Sequence, residues 1–320
     1  MKKPLISLAL ALSLLCGCGP SGSVSSQKDD TLTVVATTYP VYLMAQAVSQ
    51  GVEGVAVERL NTGSVSCLHD YTLSVNDMKK IEQADLIAIN GVGLDEFMED
   101  ALNRSSAAVV DCSENVALLE NLSHHHEEGE EDGHDHGHYD PHYWMDPANA
   151  VTMVENLCAA LSAADQANAQ QYQNNALTAQ ALLTGWDSSL QDLVEDARAQ
   201  QIAFPGLITF HDGFQYFAAA YDLPLLEAIE EEAGSEASAK EVLEITDLVN
   251  AHSIPVIFTE INGSDATANA ICRETGCRSA QLSMIMDGQD GDLARYFDAQ
   301  LANIAAVVNG FAGREVVILK

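Results

Sequence analysis

His69, His142 and His211 occupy equivalent places relative to the strand-like runs around them. His69 follows an expected strand at residues 55–60 and precedes a helix that begins after Ser74. His142 follows an expected strand at 108–111, and His211 closes one at 207–210 and opens the next helix. Asp287 stands in the same way after an expected strand at 280–286. In open α/β sheets, ligands sit in the crevice outside the carboxyl ends of the strands, so four such groups, two from each half of the chain, can converge across a cleft. Three imidazoles and one carboxylate suit tetrahedral Zn²⁺ at about 2.0–2.2 Å. Imidazole-rich sets favour Zn, Cu or Ni over Mn, which prefers more oxygen. Asp70, Glu260 and backbone groups are candidates to hold the second ring nitrogen of a histidine and fix its tautomer. His252 ends a helical pattern, where an imidazole beside the last carbonyls is structural.

The elements that must position these groups can be read from periodicity. From Thr31 onward, short β-branched runs alternate with helical periods, which predicts parallel βαβ units. Strands are expected at 32–37, 55–60, 86–90 and 108–111, with helices at 41–50, 75–83 and 94–103. A second series has strands at 207–210, 225–228, 256–260 and 280–286, with helices at 213–221, 239–252, 266–275 and 292–309. Ser74 with Asp77, and Ser238 with Glu241, have capping-box spacing, and Gly276 marks a helix stop. Between the series, residues 147–200 carry no strand pattern. Tyr172, Ala176, Ala179, Leu183, Trp186, Leu190, Leu193 and Ala197 form one apolar stripe there. A coiled-coil dimer has the same steps, but Ala and Trp at seam positions and Gly185 within the run disfavour it. A helix over about 166–199 would be about 50 Å long. The expected fold is therefore α/β: two similar lobes with parallel sheets, joined by a long rigid backbone helix, with a metal site in the cleft between them. Such a spine implies a small change on binding, confined to loops near His142 and His211.

Six of the ten histidines fall in residues 124–138: His124, His125, His126, His134, His136 and His138. The tract is acidic and without apolar residues, so it cannot join a core. It reads as a metal-attracting loop, either an antenna for Zn²⁺ or a solvated spacer. At the start of the chain, Lys2 and Lys3 precede an apolar run too short to span a bilayer and suited to a secretory signal. The run ends in Leu15-Cys16-Gly17-Cys18, which resembles a bacterial lipobox with Cys18 as the lipid-carrying residue. Residues 1–17 are thus expected to be a signal peptide and 18–30 a flexible tether. Residues 31–146 form the first lobe, 147–200 a helical linker and 201–320 the second lobe. Five cysteines remain, Cys67, Cys112, Cys158, Cys272 and Cys277, an odd number that leaves at least one thiol unpaired within the chain. Cys272 with Cys277, and Cys67 with Cys112, are possible pairs, while Cys158 sits on an apolar stripe. A formal charge of −33 excludes nucleic-acid binding by default, and 47% hydrophobic residues indicate a folded chain.

These residues also carry a family resemblance. His69-Asp70-Tyr71, Asp77 to Ile81, Ala84 to Ile87 and Asn90 to Leu94 resemble the first ligand region of bacterial cluster A-I metal-binding proteins, which serve ABC importers for zinc or manganese. Asp140 to Ala150 resembles the second ligand motif, and Phe210 to Phe217 is similar to the third. Phe258-Thr259-Glu260 matches a strand end of the last lobe, and Asp287 falls where the family has its carboxylate ligand. Leu68 and Ser74-Val75 depart from the family's prolines around the first ligand, which admits Cys67 as an extra thiolate; Glu260 is the substitute for Asp287. The resemblance implies a non-enzymatic, lipid-anchored, monomeric protein on the outer face of the cell membrane, or in the periplasm of a two-membrane host. It would capture Zn²⁺ and deliver it to an ABC permease with its ATPase subunit. The alternatives are a Mn²⁺-importer binding protein, or a surface adhesin or zinc store that uses the His-rich tract. A zinc hydrolase is disfavoured, because a four-ligand site leaves no place for activated water and no H-E-x-x-H run occurs.

Overall fold

A computed structural model describes residues 31–60, 71–122, 138–228, 238–261 and 263–319. The signal, the lipobox with Cys18, the tether, His69, Cys67, Asp70 and most of the His-rich tract lie outside them.

Both lobes are built on four parallel strands in the same order. In the first, β1 (Leu32–Ala36) lies between β2 (Val55–Arg59) and β3 (Leu86–Ile89), and β4 (Ala108–Asp111) pairs with β3. In the second, β5 (Leu207–Thr209) lies between β6 (Leu225–Ala228) and β7 (Val256–Glu260), and β8 (Arg278–Leu282) pairs with β7. The chain moves from β1 to one side and then crosses to the other, so each lobe has a switch point between its two central strands, where a crevice opens at the carboxyl ends. The central strands read as continuous apolar runs, Val34-Val35-Ala36 and Val256-Ile257-Phe258, and all six of these residues are buried. Such runs are what a parallel sheet covered on both faces requires.

The helices of the first lobe are α1 (Tyr39–Ser49), α2 (Val75–Gln83) and the single turn α3 (Glu99–Leu102). The connection is a hairpin of α4 (Pro147–Ala164) and α5 (Ala169–Ala199). The second lobe adds α6 (Gln215–Ala220), α7 (Ala239–His252), α8 (Ala266–Thr275) and α9 (Ala294–Ala312). Both capping boxes form: Ser74 and Ser238 each accept from the third helical amide, and Asp77 and Glu241 reach back. Gly276 ends α8 in the left-handed region.

The spine helix starts three residues later than expected, after a turn held by the Asp165 carboxylate, which accepts from the Asn168 amide at 2.7 Å and the Tyr172 hydroxyl at 3.0 Å. Its 31 residues extend about 46 Å. Asn175 donates to Val48 and Gln50 carbonyls at the end of α1, both at 2.9 Å, while Trp186 stacks on Phe297 of α9 at 5.0 Å. One helix is thus fastened to both lobes, and its stripe packs on α1, α4 and α9 of the same chain rather than forming a dimer seam. Near its end Val194 is buried together with Leu190 and Ala197, while Leu193 is half-buried.

Two expected elements are corrected. The helix at 94–103 is broken into a 3-10 turn over Glu96–Met98 followed by α3. Gly91, Val92 and Gly93 all adopt positive φ, and Asp95 turns back to accept the Gly91 amide at 2.7 Å instead of capping a helix. The strand expected at 280–286 runs instead from Arg278 to Leu282. Beyond it, Asn303 takes both the amide and the carbonyl of Ser283 at 2.8 Å, Trp144 donates to the Met284 carbonyl at 2.9 Å, and Ile285 has φ 60°. Side chains satisfy the backbone there, so the apolar run Met284-Ile285-Met286 is buried as a loop.

The sulfur atoms of Cys272 and Cys277 face each other at 2.6 Å across the end of α8. In an oxidising compartment the pair is expected to be a disulfide. Intact-mass analysis of exported protein without reductant should read two hydrogens lighter than after reduction, with the change mapped to the peptide holding both cysteines. Cys112 is buried and Cys158 half-buried.

Candidate metal centre

His211 follows β5 at the switch point of the second lobe, and His142 opens a 3-10 turn over Tyr143–Met145 that leads into α4. Both imidazoles are buried, at 1% and 3% exposure. Their Nε2 atoms meet at 3.4 Å with the rings nearly perpendicular, at 83°. Two ligands on one tetrahedral Zn²⁺ at about 2.0–2.1 Å stand about 3.3–3.4 Å apart, so the pair already has ligand spacing.

The tautomers follow from the partners. Asp140 Oδ1 accepts the His142 backbone amide at 2.8 Å and lies 2.7 Å from Nδ1. A carboxylate only accepts, so the proton sits on Nδ1 and neutral His142 presents a bare Nε2. His211 must then supply the hydrogen between the two Nε2 atoms, and a cation entering there displaces it. The Glu260 carboxylate, at the end of β7, lies 3.9 Å from His211 Nδ1 and can stabilise the proton once it resides on that side. Glu260 thus flanks the ring nitrogen directed away from His142.

A framework of long-range hydrogen bonds holds His142. Tyr143 donates to the Asn90 carbonyl at 2.6 Å, and Asn90 donates to the Pro141 carbonyl at 3.1 Å. Tyr216 donates to the Asp140 carbonyl at 3.0 Å and accepts the Leu119 amide at 2.9 Å. Tyr296 and Gln300 of α9 donate to the Trp144 and Met145 carbonyls at 2.6 and 2.9 Å. Burial pushes the Tyr143 and Tyr296 hydroxyls far above the usual phenol range, so both remain donors. The segment carrying His142 is thereby locked to both lobes. Gly213 lies against the pair: a β-carbon there would come within 2.9 Å of His211 Cδ2 and 3.1 Å of His142 Cγ, and would overlap Met284 Cε.

Asp95 supports the same framework by bracing the turn after Asn90. Burial pushes its carboxyl up from 3.8 to about 6, against the opposing pull of the Thr37 hydroxyl and the Gly91 and Asn90 amides. A raised native pKa contributes stability that is fully present below about pH 3.8 and lost as pH rises through about 6. Asp95→Asn, which keeps an acceptor for Gly91 but cannot ionise, should gain stability relative to the parent between pH 4 and 7, as read by urea unfolding at both ends.

The structure therefore brings His142 and His211 together and adds Asp140, which the sequence motif contained but whose role went unassigned. Its signal was a carboxylate two residues before the histidine. Asp287 is half-buried on the loop after β8. Among the described residues, no group of three or more His, Cys, Asp or Glu side chains forms a metal cage. Of the His-rich tract, His138 is described: it is exposed, 3.7 Å from Glu120, beside an antiparallel bridge between Glu120 and Tyr139. His138 stands four residues before His142 in the sequence. Among the described residues no helix is long and apolar enough to cross a membrane.

The model of the family described as zinc-uptake complex component A, periplasmic, matches residues 34–310. The chain belongs to this family. The match takes in both lobes, the spine and all four expected ligand positions. Among curated relatives, the zinc-binding protein AdcA of Streptococcus pyogenes serotype M3 is 26% identical over 343 residues, covering 99% of this chain and 64% of that protein. The chain therefore spans a little under two-thirds of the length of that relative. The iron-binding protein YfeA of Yersinia pestis is 26% identical, covering 87% of this chain and 86% of its own. Among solved structures, the SBP FpvC of Pseudomonas aeruginosa with Ni²⁺ matches with a TM-score of 0.73 at 24% identity, covering 90% of this chain and all of that one. The laminin-binding protein Lbp of Streptococcus pyogenes matches with a TM-score of 0.71 at 24% identity, covering 88% and 99%. At this identity the two structures speak for the fold alone.

Proposed function

We propose that the protein captures Zn²⁺ outside the cytoplasm and hands it to the permease of an ABC importer, making and breaking no covalent bond itself. The observation that carries this reading is the buried pair of imidazoles with their Nε2 atoms at 3.4 Å, one oriented by a carboxylate. A bare, pre-aimed nitrogen is what a cation needs, and borderline-soft Zn²⁺ suits imidazole better than Mn²⁺ does. His69 and Asp287 complete a set of four, with Glu260 supporting His211 and Cys67 as a possible additional thiolate. Membership in the zinc-uptake family, and the name of the AdcA relative, support zinc as the cargo.

The partners are then a permease and its ATPase subunit. Lipid attachment at Cys18 holds the protein to the membrane, in keeping with a relative of 28% identity named zinc-binding lipoprotein AdcA, from Streptococcus pneumoniae. The protein works as a monomer, and the His-rich tract, which ends four residues before His142 in the sequence, feeds metal toward the cleft.

The test is a competitive titration of Zn²⁺ against Mn²⁺ into soluble protein lacking residues 124–138. One tight zinc site, with much weaker manganese, is expected, together with slower uptake at scarce zinc in cells carrying the deletion. Tight manganese with weak zinc would move the cargo to manganese. Loss of the tight site on deletion would transfer the binding function to the tract.

A further inference from the structure

The loop that carries Asp287 is gripped by the opposite lobe. Tyr39, the first residue of α1 at the switch point of the first lobe, donates from its hydroxyl to the Gln289 carbonyl at 2.8 Å. Its ring lies against Gly288, where a β-carbon would come within 2.6 Å of Cζ. Arg59, at the end of β2, sets its guanidinium 5.1 Å from the Tyr39 ring centroid and 5.9 Å from that of Tyr42, and pairs with Asp290 at 3.4 Å. The Arg59 side chain is 10% exposed, so this cation is committed to the stack and the loop rather than to water. The other end of the loop is fixed by Trp144 and Asn303, and between the anchors buried Ile285 is held at φ 60°, a costly conformation for a β-branched residue. A loop under such strain keeps its path only while both ends are held.

We propose that Tyr39 and Arg59 are positioning residues for metal retention: a clasp from the first lobe that fixes the path of the second-lobe loop carrying Asp287 and so sets how fast the cation leaves. This rests on the reading of Asp287 as a ligand. The clasp meets the backbone of Gly288 and Gln289 and the carboxylate of Asp290, so it acts through loop position. Opening it frees the loop and leaves in place the hydrogen bonds that hold His142.

The experiment uses the full-length chain, zinc alone as the metal, and a chromophoric chelator in excess to follow dissociation. Tyr39→Phe removes one hydroxyl and keeps the ring. Gly288→Ala places a methyl group against that ring at a residue whose own φ is not in the left-handed region. Both variants should still hold one tight zinc and release it roughly three- to thirty-fold faster, while the metal-free form loses less stability than the zinc-bound form. Amide exchange at residues 287–291 should rise in both. Unchanged release rates in the two variants would overturn the clasp while leaving the metal site standing. A faster release accompanied by an equal loss of metal-free stability would reduce Tyr39 to a packing residue and also overturn it. A parent protein without a tight zinc site would defeat the metal reading itself, and the clasp with it.

Discussion

Replacing His211 with alanine is expected to weaken zinc binding at least roughly a hundred-fold, and His142→Ala to do the same. Structural zinc sites with four ligands bind with about 10–16 kcal/mol, so one ligand carries about 3 kcal/mol, or about two factors of ten. The loss should appear in a competition titration with a chelator of known affinity, on protein whose circular dichroism and metal-free unfolding match the parent. Because the two nitrogens address one ion, the double variant should lose less than the sum of the single losses. Equal zinc affinity in parent and both variants would place the site elsewhere. Protons compete for the same nitrogens, so binding should also weaken in acid.

Asp140→Ala should cost roughly ten- to a hundred-fold in zinc affinity although Asp140 need not touch the metal. Its carboxylate accepts from both the backbone and the ring of His142, and it is fully buried. Without it, the His142 amide and ring lose their acceptor in a dry setting, and the ring is free to place its proton on Nε2, the atom that must face the cation. Asp140→Asn separates the two effects. Its amide oxygen can still accept from the backbone, but the oriented negative charge is gone, so stability should largely recover while affinity does not. Urea unfolding of the metal-free protein alongside the titration checks this division.

Local signals account for much of the fold. Capping boxes at Ser74 and Ser238, the Gly276 stop and the apolar runs of β1 and β7 each carry their own physical cause within a few residues, and each forms where expected. The breaks were not legible because their causes are distant. Ile285 leaves the strand path because Trp144, 140 residues before Met284, and Asn303, 20 residues after Ser283, take the hydrogen bonds that a neighbouring strand would otherwise supply. The helix near Leu94 fails because Asp95 is drawn to the Gly91 amide, a choice made by the left-handed turn rather than by helical periodicity. At the candidate centre, His142 and His211 come to one point as strand-end placement expects, but among the described residues Asp287 does not form a group of three with them. Asp140 and Glu260 required geometry, since periodicity does not reveal which nitrogen of a ring a carboxylate will face. Tyr39 carried no sequence signal for its clasp, because its partner is the backbone of a loop 250 residues later.

The most direct measurement is anomalous diffraction at the zinc edge from crystals of the protein grown with one equivalent of Zn²⁺. The account predicts one strong peak within about 2.0–2.1 Å of Nε2 of both His142 and His211, with Asp140 still bound to His142 Nδ1. A peak bound elsewhere, with the two imidazoles still in contact at their metal-free spacing and no ion between them, would contradict it.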